Sequence, residues 1–192
     1  MPLASCELPG VEKEVGGKGC IDSETIMRYL ANCFLLTIPA LAFNIVFIKN
    51  LPKTFSREVF WKDIPRGIAY GENIFRVVVF FFPLFMPLTL STPLQQAGMF
   101  MYVIGTLIYF LSWVLLMHKP QSTWSLSPIG FLAPAYTPLL WLLGIALIGN
   151  SLYFTSVPYE WWYYFAGVVL FLTFHLSHAW IVYARTFPSG KL

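Results

Sequence analysis

The sequence predicts an all-α integral membrane protein: a five-transmembrane-helix bundle with a short interfacial amphipathic helix between spans one and two. Three observations carry that prediction. The chain of 192 residues is 57% hydrophobic and only 11% charged, whereas soluble domains average about 45–50% apolar and about 25% charged. Its apolar residues are gathered into five long runs, each close to the ~17–25 residues that carry a helix across a bilayer. The Lys and Arg residues of the links between those runs fall in every second link, the pattern of loops that stay on the cytoplasmic side. A soluble chain of this size has too little polar surface to cover so much apolar material. Barrel strands alternate apolar and polar residues in short runs, which these long runs do not.

Residues 1–26 form a polar amino-terminal segment of mixed charge. It lacks the basic start, short apolar stretch and small-residue cleavage site of a secretory signal. A single transmembrane domain over residues 27–185 follows, then a short tail, residues 186–192. The first run is Met27–Ile48 and contains Pro39. The connector after it reads "PKTFSREVFWKDIPRG", Pro52–Gly67. There Phe55, Val59, Phe60 and Ile64 recur with helical spacing, while Arg57, Lys62 and Arg66 point elsewhere. Ser56 is placed to cap its start and Pro65 to end it. That pattern reads as a helix lying on the lipid surface; a plain basic loop is the alternative. The remaining runs are Ile68–Leu90, Gly98–Met117, Pro128–Ile148 and Tyr159–Tyr183.

The first link carries Lys49, Lys53, Arg57, Lys62 and Arg66, the third Lys119, and the tail Arg185 and Lys191; the second and fourth links carry no positive charge. This alternation places the amino terminus outside and the carboxyl terminus in the cytoplasm of a multi-pass cell-membrane protein. Trp61, Trp113, Trp124 and Trp180 then sit near the inner boundary, and Tyr153, Tyr159, Trp161 and Trp162 near the outer one, as aromatic belts do. With the amino terminus outside, Cys6 and Cys20 face an oxidising compartment where a disulfide is open to them. Cys33 reads as a small apolar filler.

Polar side chains inside apolar runs are the informative ones, because each costs desolvation energy. Asn44, Glu72, Asn73, Arg76, His118, Ser125, Ser127, His175 and His178 all fall toward the same predicted face of the membrane. Glu72 and Arg76, four apart, share a helix face and can pair. His175 and His178, three apart, share another. The bland reading is an ion pair that fixes helix depth and histidines that satisfy local hydrogen bonds. The functional reading joins Glu72, Arg76, His175 and His178 into a cytoplasm-facing polar pocket with Tyr70, Trp141 and Phe174 as aromatic walls. Such a pocket would bind or move a small amphipathic molecule or ion, with Arg76 on an anionic group and a histidine exchanging protons. Two further readings stand beside it: a membrane enzyme acting on a lipid or quinone, with His175 and His178 as base or as metal or haem ligands, and a structural subunit.

A metal site would need His118, His175, His178 and Glu72 together; nothing in their spacing requires one, and no cofactor is assigned. Prolines interrupt run four at Pro128, Pro134 and Pro138, and run two at Pro83 and Pro87; broken helices often border binding cavities. No nucleophile elbow, zinc-protease helix, phosphate loop or dinucleotide fingerprint is present. The expected partners are the lipid bilayer, a small-molecule or ion ligand, and a membrane-protein partner or a homo-oligomer; in the structural-subunit reading a partner covers the small-residue face around Gly105, and no basic run suggests nucleic acid.

Overall fold

The computed structural model describes residues 30–153 and 159–187. The expectations for residues 1–26, including the Cys6–Cys20 pairing, and for the end of the tail lie outside the described residues. Within them, regular structure is helical apart from one isolated antiparallel bridge between Asn32 and Pro87. Five helices are long and apolar enough to cross a membrane: Cys33–Asn50, Arg66–Phe85, Pro93–His118, Pro128–Ile148 and Trp161–Thr186. They are called spans 1 to 5.

The boundaries follow from local chemistry. Span 1 opens with a 3-10 turn, Cys33–Leu36, capped by the Asn32 side chain, and Pro39 sits in the first turn of the α-helix Ile38–Phe47. A proline there lacks only an amide that the first turn would leave unbonded. Span 2 is helical over Arg66–Phe81 and tightens to 3-10 over Phe82–Phe85. It stops short of Leu90 because the chain beyond it pairs with the start of span 1: the Cys33 amide donates to the Met86 carbonyl at 2.9 Å and the Leu88 amide to the Ala31 carbonyl at 2.9 Å. Pro83 has no N–H to offer the Val79 carbonyl one turn back. The Tyr164 hydroxyl, from span 5, donates to that carbonyl at 2.9 Å instead. Span 3 starts at Pro93 behind a capping box in which Thr92 and Gln95 bond each other's backbone amides. The buried Gln95 amide group also donates to the Ile148 carbonyl at 3.0 Å, tying the start of span 3 to the end of span 4.

Span 4 is two helices, Pro128–Tyr136 and Pro138–Ile148, meeting at Thr137. Pro134 and Pro138 each remove a helix donor, and the Thr137 amide and hydroxyl both bond the Ala133 carbonyl, at 3.0 and 2.8 Å, at the junction. This broken helix is the centre of the bundle: 67% of it is buried within the protein, against 17–33% for the other four spans. The outer spans show Ile45, Val77, Phe100, Leu107 and Val169 to the surroundings, as a protein solvated by lipid tails should.

Lipid tails are as apolar as Leu, so helices pair in a bilayer through close packing rather than hydrophobic exclusion. Glycines supply that closeness between spans 3 and 4. A methyl group on Gly105 would lie 2.5 Å from the Trp141 amide nitrogen, and one on Gly144 2.6 Å from the Tyr102 amide nitrogen and 2.7 Å from the Gly98 carbonyl oxygen. The small-residue face at Gly105 is therefore filled by span 4 of the same chain.

The connector differs in detail from the expected surface helix. It contains a 3-10 turn, Lys53–Phe55, and one α-helical turn, Arg57–Phe60, which Ser56 precedes without a side-chain cap bond. Phe55, Phe60 and Ile64 pack against the cluster of Phe131, Val182 and Tyr183, so most of its apolar side is turned onto the bundle. Val59 alone of the four stays exposed. The carbonyls at its end are held by Arg185 of span 5, whose Nη2 donates to Val59 at 2.6 Å and whose Nη1 donates to Lys62. Asp63 then turns the chain in the left-handed region, φ 51°, where Asp is better tolerated than bulkier residues.

Because the atoms facing Gly105 and Gly144 are backbone, neither neighbour can step aside. Gly105→Ala and Gly144→Ala are each expected to cost about 1–3 kcal/mol, read as a lowered unfolding temperature in detergent. Gly67→Ala, with nothing within 4 Å of the added methyl, is expected to leave that temperature unchanged or raise it slightly.

Candidate ligand-binding site

Spans 2 and 5 lie side by side, and Gly71 brings them close: a methyl there would meet the Phe174 ring at 2.6 Å. One residue on, Glu72 faces span 5 and is fully buried. Its carboxylate gathers the cluster. Arg76, one turn along its own helix, donates to Oε1 from Nη2. His175 donates to the same oxygen from Nδ1 at 2.9 Å. His178, one turn further along span 5, meets Oε2 through Nδ1. The four ionisable residues singled out in the sequence are thus one hydrogen-bonded unit. A buried carboxylate without such partners would cost several kcal/mol.

The two histidines are not equivalent. His178 is fully buried, and its Nε2 lies 2.9 Å from the Phe60 carbonyl of the connector. A carbonyl only accepts, so Nε2 carries hydrogen. Its Nδ1 faces a carboxylate oxygen, so the ring bridges Glu72 and the connector. His175 donates from Nδ1 and has no hydrogen bond at Nε2 among the described residues. Phe60 and Trp61 enclose His178, with ring centroids 4.3 and 4.6 Å away, and Phe171 stacks on His175 at 5.3 Å.

Arg76 and His175 also line a half-open cavity of about 350 Å³ between the five spans, referred to as the central cavity. Its walls include Ala40 and Leu41 of span 1, Phe80 of span 2, Trp113 of span 3, Pro134, Pro138 and Trp141 of span 4, and Phe171 of span 5. The broken helix thus borders the cavity, at both of the prolines that interrupt it. Asn44 and Tyr109 add polarity and bond each other at 2.8 Å. Trp141 is 2% exposed, and its indole N–H has no acceptor among the described residues. A buried donor left without an acceptor costs about 1–3 kcal/mol.

The expected aromatic walls divide. Trp141 lines the cavity. Tyr70 is 67% exposed on the outside of span 2, and Phe174 stacks on Phe75 at 5.8 Å in the seam between spans 2 and 5; neither borders the cavity. Both belong to helices of the site, but their directions around those helices lead elsewhere. His118 bonds the Val114 carbonyl of its own helix at 3.1 Å. Among the described residues no group of three or more His, Cys, Asp or Glu is arranged to hold a metal ion. The reason is visible in the cluster: both histidine Nδ1 atoms are spent on the Glu72 carboxylate instead of converging with it on a common point. Ser125 and Ser127 both serve locally: Ser127 caps span 4 by accepting from the Gly130 amide at 3.1 Å, and Ser125 donates to the Lys119 carbonyl at 2.7 Å. The Phe60 carbonyl, Tyr109 and Phe171 had no distinguishing signal in the sequence, being a backbone atom and two of many aromatic residues.

His178→Phe fills the space of the ring but strands both Glu72 Oε2 and the Phe60 carbonyl. A loss of about 3–5 kcal/mol is expected, measured as thermal unfolding in detergent. Tyr70→Ala is expected to change the same measurement by less than about 0.5 kcal/mol.

Comparison with family models, curated proteins and solved structures returns no match, so the geometry carries the functional reading.

Proposed function

We propose that this is a multi-pass membrane protein that binds a small amphipathic molecule with an anionic head in the central cavity. One observation carries the reading: a cavity of about 350 Å³ with mostly apolar and aromatic walls is bordered at one place by Arg76 and His175. Small-molecule sites share that make-up, an apolar chamber of roughly 300–1,000 Å³ with a few convergent polar groups. Arg76 brings a permanent positive charge to the cavity wall and suits a carboxylate or phosphate. The orphaned Trp141 N–H supplies a second donor. The positive charges of the connector and tail support a cytoplasmic placement for this end of the bundle, and with it an amino terminus outside. Transport between the two faces is a further step, for which the available Nε2 of His175 offers a proton acceptor.

The test uses the purified full chain in nanodiscs and tritiated decanoate as probe. Wild type is expected to bind it saturably and decanol only weakly. Arg76→Gln is expected to weaken decanoate about tenfold or more, the effect of one charge-assisted hydrogen bond, and Trp141→Phe to weaken it by a smaller factor. Equal decanoate binding by wild type and Arg76→Gln overturns the reading.

A membrane enzyme acting on a lipid or quinone has one observation in its favour. Glu72 holds His175 by Nδ1 and leaves Nε2 unengaged on a ring that lines the cavity, the arrangement of a general base. Under that reading, incubation with membrane lipid extract yields a chemically altered species by mass spectrometry. His175→Gln is expected to abolish it while leaving decanoate binding within about threefold, since Gln can still donate to Glu72.

A further inference from the structure

Arg76 borders a second space. A surface cleft of about 410 Å³ lies between the connector and span 2, lined by Arg57, Trp61, Asn73 and Arg76. It differs from the central cavity in kind: two guanidinium groups and a carboxamide stand around one indole, with no acidic side chain in the lining. Arg76 is fixed there, with its guanidinium carbon 5.8 Å from the Trp61 ring centroid and its Nη1 3.5 Å from the Asn73 side-chain oxygen. Its charge is already shared with Glu72. Arg57 is different. It is exposed and has no ion pair or side-chain hydrogen bond among the described residues. Five donors in a planar fork are therefore on offer at the cleft. The neighbouring indole belongs to the residue type that settles at headgroup level. Lys53 and Lys62 of the same connector add positive potential without entering the cleft.

We propose that this cleft is a phosphate site that holds the headgroup phosphate of an anionic membrane lipid. Arg57 supplies the main charge-assisted hydrogen bonds, Arg76 and the Asn73 carboxamide the remaining donors, and Trp61 packs beside the glycerol. A guanidinium pair matches a phosphate's oxygens, and a basic juxtamembrane segment draws anionic lipid from the surrounding leaflet. Arg57 lines only the cleft while Arg76 lines both spaces, so a change at Arg57 tests the cleft separately from the cavity.

The full chain, purified in a zwitterionic detergent, is titrated with short-chain phosphatidylglycerol, with phosphatidylcholine of the same chain length, and with inorganic phosphate. The unfolding temperature is followed throughout. Phosphatidylglycerol is expected to raise it saturably and phosphatidylcholine not at all. Arg57→Gln is expected to shift the titration midpoint about tenfold toward higher lipid, while Lys119→Gln, the same charge change outside the cleft, leaves the midpoint in place. Arg57 touches none of the buried cluster, so the variant folds as wild type does and still binds decanoate. An unchanged midpoint in Arg57→Gln, or equal shifts from the two lipids, overturns the site. Inorganic phosphate reproducing the whole shift, with Arg57→Gln removing it, overturns the lipid and assigns the cleft to a soluble phosphate compound.

Discussion

The bundle is organised around one buried carboxylate. Glu72 has no access to water, and a bare anion at that place would be prohibitive. Its oxygens are instead met by Arg76 from its own helix and by His175 and His178 from span 5. This fixes three things together: the rotation of span 2, the rotation of span 5 and their offset along the membrane normal. His178 then extends the constraint outward by donating to the Phe60 carbonyl, which fastens the connector. Arg185 repeats the device at Val59 and Lys62. Apolar contacts cannot supply such direction in lipid, where one greasy face serves as well as another.

The remaining spans are placed by shape and by backbone repair. Spans 3 and 4 approach through Gly98, Gly105 and Gly144. The end of span 2 is mended by the Tyr164 hydroxyl where Pro83 leaves a carbonyl without a donor. The two halves of span 4 meet at Thr137, and Pro134 and Pro138 leave that helix bordering empty space. Tight seams on one side and a proline-broken helix on the other make the central cavity a product of the sequence and not a packing accident.

Much of this was legible in the sequence. Five apolar runs matched five spans, since length and hydropathy are decided by the bilayer and leave little to tertiary context. The association of Glu72 and Arg76 with His175 and His178 was legible too, because ionisable groups inside apolar helices must find one another. What was hidden depends on azimuth. Tyr70 and Phe174 neighbour the cluster in sequence, yet point to the outside and into a helix seam; span 2 is apolar on several sides, so periodicity gives no orientation. The same ambiguity concealed that Gly105 faces span 4. The periodicity of Phe55, Phe60 and Ile64 in the connector is the same for a helix on the lipid surface and for one docked on a bundle, so it does not show that they face the bundle. The Phe60 carbonyl could not be read at all, being a main-chain atom selected by the fold.

Ribosomal synthesis gives the Glu72 cluster a history. His175 follows Glu72 by 103 residues, so span 2 leaves the insertion machinery long before the histidines exist. During that interval Arg76 is the acid's sole companion among the four, and the opening of span 2 enters the membrane as a self-neutralising unit. Arrival of the last helix supplies the missing imidazoles and the clasp on the connector in one step. A chain halted before His175 would leave an acid–base pair without the imidazoles that complete it.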